Sequence, residues 1–158
     1  MSEHLCSMKS IYAYALLLLL IGSCKKKSDV NQAEVDQDII TQYIADNNLT
    51  TAKATGSGLY YVVTTQGQGL QPSATSNVTV KYKGMLTNGS VFDETSNIGL
   101  AFNLGGVIKG WQEGIPLFNK GGKGKLLIPS ALGYGNQAQP KIPANSVLIF
   151  DVELLDIK

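Results

Sequence analysis

From residue 59 to residue 155 the apolar side chains recur in steps of two, not at the 3.6-residue spacing of a helix. That alternation restricts this part of the chain to half-buried strands. In VTVKYKG, Val78, Val80 and Tyr82 share one face and Thr79, Lys81 and Lys83 the other. Asn88-Gly89 follows, a hairpin signal because both residues accept positive φ. Residues 59–64, 123–128 and 147–155 read as further strands. In the last of these Leu148, Phe150, Val152 and Leu154 alternate with Ile149, Asp151 and Glu153. The pattern predicts antiparallel strands with one face toward water, interrupted only by a short helical turn at KGWQEGI around Trp111. Seventeen glycines and frequent β-branched residues favour this strand-and-turn architecture over a helical bundle.

The chain has 158 residues and a formal net charge of +1, room for one ordinary domain with an N-terminal extension. Acids and bases are interspersed, so no basic face marks a nucleic-acid partner. The single histidine, His4, precedes the strand region, which removes the base from any Ser-His-Asp or Cys-His system and the imidazole from a zinc site. No metal or cofactor is expected. Cys6 and Cys24 both lie before the strands, so the domain has no internal disulfide. The glycine-rich pieces at Gly105 and Gly121 lack the Lys-Ser/Thr of a phosphate-binding loop and the strand-to-helix setting of a dinucleotide site.

Residues 8–24, MKSIYAYALLLLLIGSC, place an apolar run of signal-peptide length between a lysine and a group of small residues ending at Cys24. The run is shorter than the ~20 apolar residues of a spanning helix. Ile21-Gly22-Ser23-Cys24 resembles the bacterial lipobox, which implies a signal peptide over 1–23, a lipid anchor to the membrane at Cys24, and residence in the bacterial cell envelope. Lys25 after the cysteine points to the periplasm-facing outer membrane. Residues 24–57 read as a tether carrying one short amphipathic helix over about 33–47. Val35, Ile39, Ile40, Tyr43 and Ile44 form its stripe, Asp36 and Asp38 sit near its positive end, and Asn47-Asn48 closes it. The stripe is short, so it is expected to pack on the domain, not to form a dimerisation stalk. TTAKATGSG then reads as a linker to the domain at 58–158.

With the strands placed, VTVKYKGMLTNGSVFDET, FNLGGVIKGWQEGI, GGKGKLLIP, ALGYG and IPANSVLIFDVELL together resemble the FKBP-type peptidyl-prolyl cis-trans isomerases, in that family's order. The resemblance implies an α+β fold, a five-stranded antiparallel sheet curled around one short helix, here preceded by the short N-terminal helix. It implies isomerisation of X-Pro bonds in protein or peptide substrates, in support of envelope or secreted protein folding, and a pocket of the kind that also takes macrolides. Carried over position by position, the substrate-binding residues are Tyr82, Phe92, Val107, Trp111, Ile142 and Phe150. The catalytic ones are Asp93, bonded to Tyr82 and lying near the twisting carbonyl, with Tyr134 and the backbone N–H of Ile108 as donors to substrate carbonyls. ETSNIGL is short and lacks an arginine frequent in the family, Leu100 stands where an aromatic is common, and Gln139 lies near a position often held by histidine. These departures bear on macrolide affinity and sequence preference. Every pocket candidate lies beyond residue 57, so deletion of residues 25–57 is expected to spare catalysis on short peptides.

Overall fold

The computed structural model describes residues 31–158. The signal-peptide and Cys24 expectations fall outside the described residues. In chain order the elements are α1 (Gln32–Asp46), β1 (Lys53–Ala54), β2 (Tyr60–Thr65), β3 (Asn77–Leu86), β4 (Val91–Glu94), β5 (Leu100–Asn103), α2 (Lys109–Gly114), β6 (Lys123–Ile128) and β7 (Leu148–Ile157). Short 3-10 turns occupy Leu104–Gly106, Ile115–Leu117 and Ser130–Leu132.

The two ten-residue strands, β3 and β7, are the most strongly alternating segments, and they pair antiparallel along their length. The sheet runs β1-β2-β6-β7-β3-β4, with β5 also on β3 and every pairing antiparallel. β4 lies opposite Lys83–Met85 of β3 and β5 opposite Asn77–Val80, so the two are one interrupted edge strand. Seven named strands therefore reduce to five positions across the sheet plus the two-residue β1. This is the five-stranded α+β architecture that the motifs imply.

Leu148, Phe150, Val152 and Leu154 of β7 face inward with Leu126 and Ile128 of β6 and Val78 and Val80 of β3. Trp111, Ile115 and Phe118 close this core from the side of α2. The helix can lie against the strands because Gly110 and Gly114 face them. A Cβ there would come within 2.4 Å of Ile128 Cγ2 and 2.7 Å of Leu126 Cδ2.

Part of the expected wet face is covered. Leu127 and Ile149 occupy outward positions and are fully buried beneath Ile40, Tyr43 and Ile44 of α1. Elsewhere on it Lys123 pairs with Glu153 at 2.9 Å and Lys125 with Asp151. Such solvent-facing pairs contribute about 0–1 kcal/mol each, so this part favours solubility more than stability.

α1 begins at Asn31, whose Oδ1 accepts from Ala33 N at 3.2 Å, and the chain turns away at Asn48 with φ 52°. Of its expected stripe, Ile40, Tyr43 and Ile44 pack on the sheet, whereas Ile39 is exposed. Asp36 does not serve the helix dipole: its carboxylate is buried against Ser130. Two local expectations also change. The TTAKATGSG stretch is not free, because β1 pairs with β2 and the Ser57 hydroxyl donates to both Glu113 carboxylate oxygens at 2.8 Å. The Asn88-Gly89 hairpin forms, but only Gly89 has positive φ, at 84°. Gly89 N donates to Leu86 O and Leu86 N to Ser90 O. That is a three-residue loop with glycine in the left-handed position, and Asn88 instead accepts from Ser90 N through Oδ1 at 3.0 Å.

Candidate active site

A cavity of about 640 Å³ opens where β3, β4, β5 and β7 meet α2 and the loop after β6. Tyr82 arrives on the inward face of β3 and Phe150 on that of β7. Gly84, two residues beyond Tyr82, leaves the space that the neighbouring rings occupy. A Cβ at Gly84 would lie 2.5 Å from Phe92 Cε2 and 2.8 Å from Phe150 Cε1. Gly84 pairs with Asp93 but Met85 with Val91, so Phe92 is the extra residue of a β-bulge. A bulge re-aims a side chain, here toward the cavity, and sets Asp93 beside it.

The rings meet edge to face, as aromatic quadrupoles prefer. Trp111 and Phe150 stand 5.1 Å apart at 83°, Tyr82 and Trp111 5.0 Å apart at 89°, and Phe92 and Phe150 5.5 Å apart at 82°. Phe102 tilts against Trp111 at 5.3 Å. Trp111 and Phe150 are buried at the base of this cage, and the Trp111 indole Nε1 has no hydrogen-bond partner among the described residues.

Asp93 is the only carboxylate in the lining. It is exposed, yet fixed: Tyr82 Oη donates to Asp93 Oδ2 at 2.6 Å. Partial burial of Tyr82, then its bond to Asp93 and the carboxylate's negative charge, hold the phenol well above its ordinary ionisation range. The tyrosine therefore remains a donor, and one carboxylate oxygen is committed to it.

Two other groups carry the polar edge. Ile108 precedes α2 in extended backbone, and Gln112 Nε2 donates to the carbonyl of Val107 at 2.8 Å. Because the peptide is planar and trans, fixing that carbonyl also fixes the Ile108 N–H on the opposite side. Tyr134, 40% exposed, sits between Gly133 and Gly135. Both glycine N–H groups donate to Ser130 O, at 2.9 and 2.8 Å.

Tyr82, Phe92, Asp93, Val107, Ile108, Trp111, Tyr134, Ile142 and Phe150 all line this one cavity. The structure adds Phe102, Gly106 and Pro140 to them, together with Leu100 and Gln139, the two positions where the sequence departs from the family. Phe102 lies in a four-residue strand, where only its spacing of two from Leu100 could have marked it. Gly84 and Gln112 act from behind the lining and carry no sequence signal of their own. No Ser, Thr, Cys, Lys or His lines the cavity, and no cluster of three metal-ligating side chains occurs among the described residues. The chemistry the arrangement offers is apolar enclosure, hydrogen-bond donation and one oriented negative charge.

Residues 69–155 match the family described as FKBP-type peptidyl-prolyl cis-trans isomerase. The chain is 49% identical over 108 residues to the FKBP-type peptidyl-prolyl cis-trans isomerase FkpA of Escherichia coli K12, an alignment covering 67% of this chain and 40% of that protein. It is 40% identical over 152 residues to a probable FKBP-type peptidyl-prolyl cis-trans isomerase of Haemophilus influenzae, covering 94% of this chain and 62% of that one. The crystal structure of Escherichia coli FkpA superposes with a TM-score of 0.68 at 41% identity, over 80% of this chain and 62% of the other. A peptidyl-prolyl cis-trans isomerase from Pseudomonas syringae pv. tomato superposes with a TM-score of 0.71 at 28% identity, over 80% and 93% of the two chains. The chain thus spans about two fifths of the Escherichia coli relative's length.

Proposed function

The chain belongs to the family of FKBP-type peptidyl-prolyl cis-trans isomerases, and from that premise we propose that it isomerises X-Pro bonds in unfolded or partly folded envelope and secreted proteins. The observation that carries this reading is the 2.6 Å bond from Tyr82 to Asp93 at the mouth of an aromatic cage. It presents a fixed carboxylate beside an aromatic enclosure.

Rotation about X-Pro is slow because amide resonance sets a barrier of roughly 18–20 kcal/mol, and no bond has to break to cross it. A catalyst has only to favour the twisted amide over both planar forms. Trp111, Phe150, Phe92 and Tyr82 grip the prolyl ring, and leaving water disfavours the more polar planar amide. The Tyr134 hydroxyl and the Ile108 N–H hold the carbonyls on either side, so the chain rotates about one bond instead of drifting. As resonance is lost the carbonyl carbon becomes more positive, and the Asp93 carboxylate, held by Tyr82, favours that charge. Asp93 orients and polarises; it moves no proton. A protease-coupled assay on an X-Pro tetrapeptide tests the reading. A rate rising linearly with protein concentration is expected, and a rate equal to the uncatalysed one refutes it.

The lipobox-like IGSC supports lipidation at Cys24 and a place in the cell envelope, facing the periplasm from the outer membrane. One acyl chain anchors marginally and several hold firmly, at about 0.8 kcal/mol per buried methylene. Mass spectrometry of the membrane-extracted protein should find diacylglyceryl cysteine at position 24; an unmodified Cys24 refutes the anchor. The family resemblance also supports binding of a macrolide in this cavity, which should inhibit competitively with peptide.

A further inference from the structure

We infer that Asp36 of α1 is a positioning residue for the active site, acting through the loop that carries Tyr134. Resting on the isomerase reading, this gives the segment before the domain a part in catalysis. Pro129 precedes the 3-10 turn Ser130–Leu132 and offers that turn no side-chain cap. The missing acceptor comes from 94 residues earlier in the chain. Asp36 Oδ2 accepts from Ser130 N at 2.7 Å and from Ser130 Oγ at 2.6 Å. Gln32 Nε2 donates to the other carboxylate oxygen at 2.7 Å. Asp36 is 1% exposed and Ser130 2%, so water cannot replace these bonds.

Ser130 passes the constraint on. Its carbonyl accepts from the amides of Gly133 and Gly135, the residues on either side of Tyr134, and the Gly135 carbonyl accepts from Asn145 N at 2.7 Å. A single buried carboxylate thus fixes the residue to which both flanks of Tyr134 are tied. Ile40, one turn along α1, is buried with Leu127, Val147 and Ile149 and keeps Asp36 in register with the turn. Among the described residues only Asp36 accepts from Ser130 N, so deletion of residues 25–57 should lower kcat/KM on short peptides, against the expectation from the sequence.

A double-mutant cycle between Asp36→Ala and Tyr134→Phe, read as kcat/KM on an X-Pro tetrapeptide well below the melting temperature, tests this. Asp36→Ala should lose between about twofold and tenfold, the span of one neutral hydrogen bond. In the Tyr134→Phe background it should lose less than about twofold, because the bond it positions is already gone. Asp36→Asn, which keeps the oxygen that Ser130 uses while Gln32 turns its amide, should restore most of the activity. Equal losses in both backgrounds, or a folded Asp36→Ala with full activity, overturn the inference. If Asp36→Ala does not fold, Ser130→Ala removes one of the two bonds and runs the same cycle. The amide resonances of Tyr134 and Gly135 should shift in either variant, and unchanged resonances also overturn it. A wild type without isomerase activity would refute the proposed function, and these resonances would still decide the role of Asp36.

Discussion

Replacing Gly84 with alanine tests whether the aromatic cage is set by the strand beneath it. The new methyl would lie 2.5 and 2.7 Å from two carbons of the Phe92 ring and 2.8 Å from Phe150 Cε1. Comfortable carbon contacts begin near 3.5 Å, so one or both rings must retreat by about 1 Å. Overpacking of this kind costs about 1–3 kcal/mol, and loosening the Phe92–Phe150 pair about 0.5–1.5 kcal/mol more. Removing a glycine from a strand interior returns about 0.5–1 kcal/mol. The net is a destabilisation of about 0.5–4 kcal/mol, which for a domain of this size lowers Tm by about 3–5 °C per kcal/mol. kcat/KM should fall at temperatures where the variant is fully folded, because the displaced rings are cage walls. Calorimetry and the peptide assay read the two effects. Gly56→Ala, where a Cβ meets nothing within 4 Å, is the control and should stay within about 0.5 kcal/mol. A Gly84→Ala variant indistinguishable from that control in both measurements would refute the argument.

Tyr134→Phe should reduce kcat/KM by about 0.5–1.5 kcal/mol equivalent with Tm unchanged, since one exposed neutral hydrogen bond is lost; no change in rate would remove Tyr134 from the site. Trp111→Ala should destabilise by about 3–5 kcal/mol in denaturant melts and weaken peptide binding. Trp111→Phe should cost less, because a ring remains and the indole N–H leaves no partner behind. Tyr82 titrates above the ordinary value of 10.0. The folded protein therefore keeps a proton that the unfolded chain releases near that pH, a contribution present below pH 10 and lost as pH rises above it. Stability of the wild type should fall more steeply above pH 10 than that of Tyr82→Phe, and parallel curves would contradict the raised ionisation of Tyr82 that burial and Asp93 produce.

The long strands were legible because β3, β6 and β7 carry enough residues for a period of two to emerge. β4 and β5 have four residues each, and a bulge in the pairing of β4 breaks its register, so neither showed. The covering of the outer face was half legible: Leu127 and Ile149 are apolar at outward positions, and the stripe of α1 was visible, but nothing in either segment names the other. Asp36 read as a dipole-compensating acid, because its partner Ser130 lies far along the chain and looks like any turn serine. The cage came through the resemblance of whole motifs. Taken singly, Tyr82, Trp111 and Phe150 are indistinguishable from core residues. Gly84 ended the VTVKYKG motif without a sign that two rings need its missing methyl.

Exchange NMR on an X-Pro peptide mixed with wild-type protein and with Asp93→Ala addresses the claim that an oriented carboxylate beside the cage favours the twisted amide. The account predicts strong cis/trans exchange peaks with the wild type. With Asp93→Ala they should be much weaker, while peptide-induced shifts at the Trp111 indole persist, showing that binding survives and rotation does not. Equal exchange rates for the two proteins at equal occupancy would contradict it.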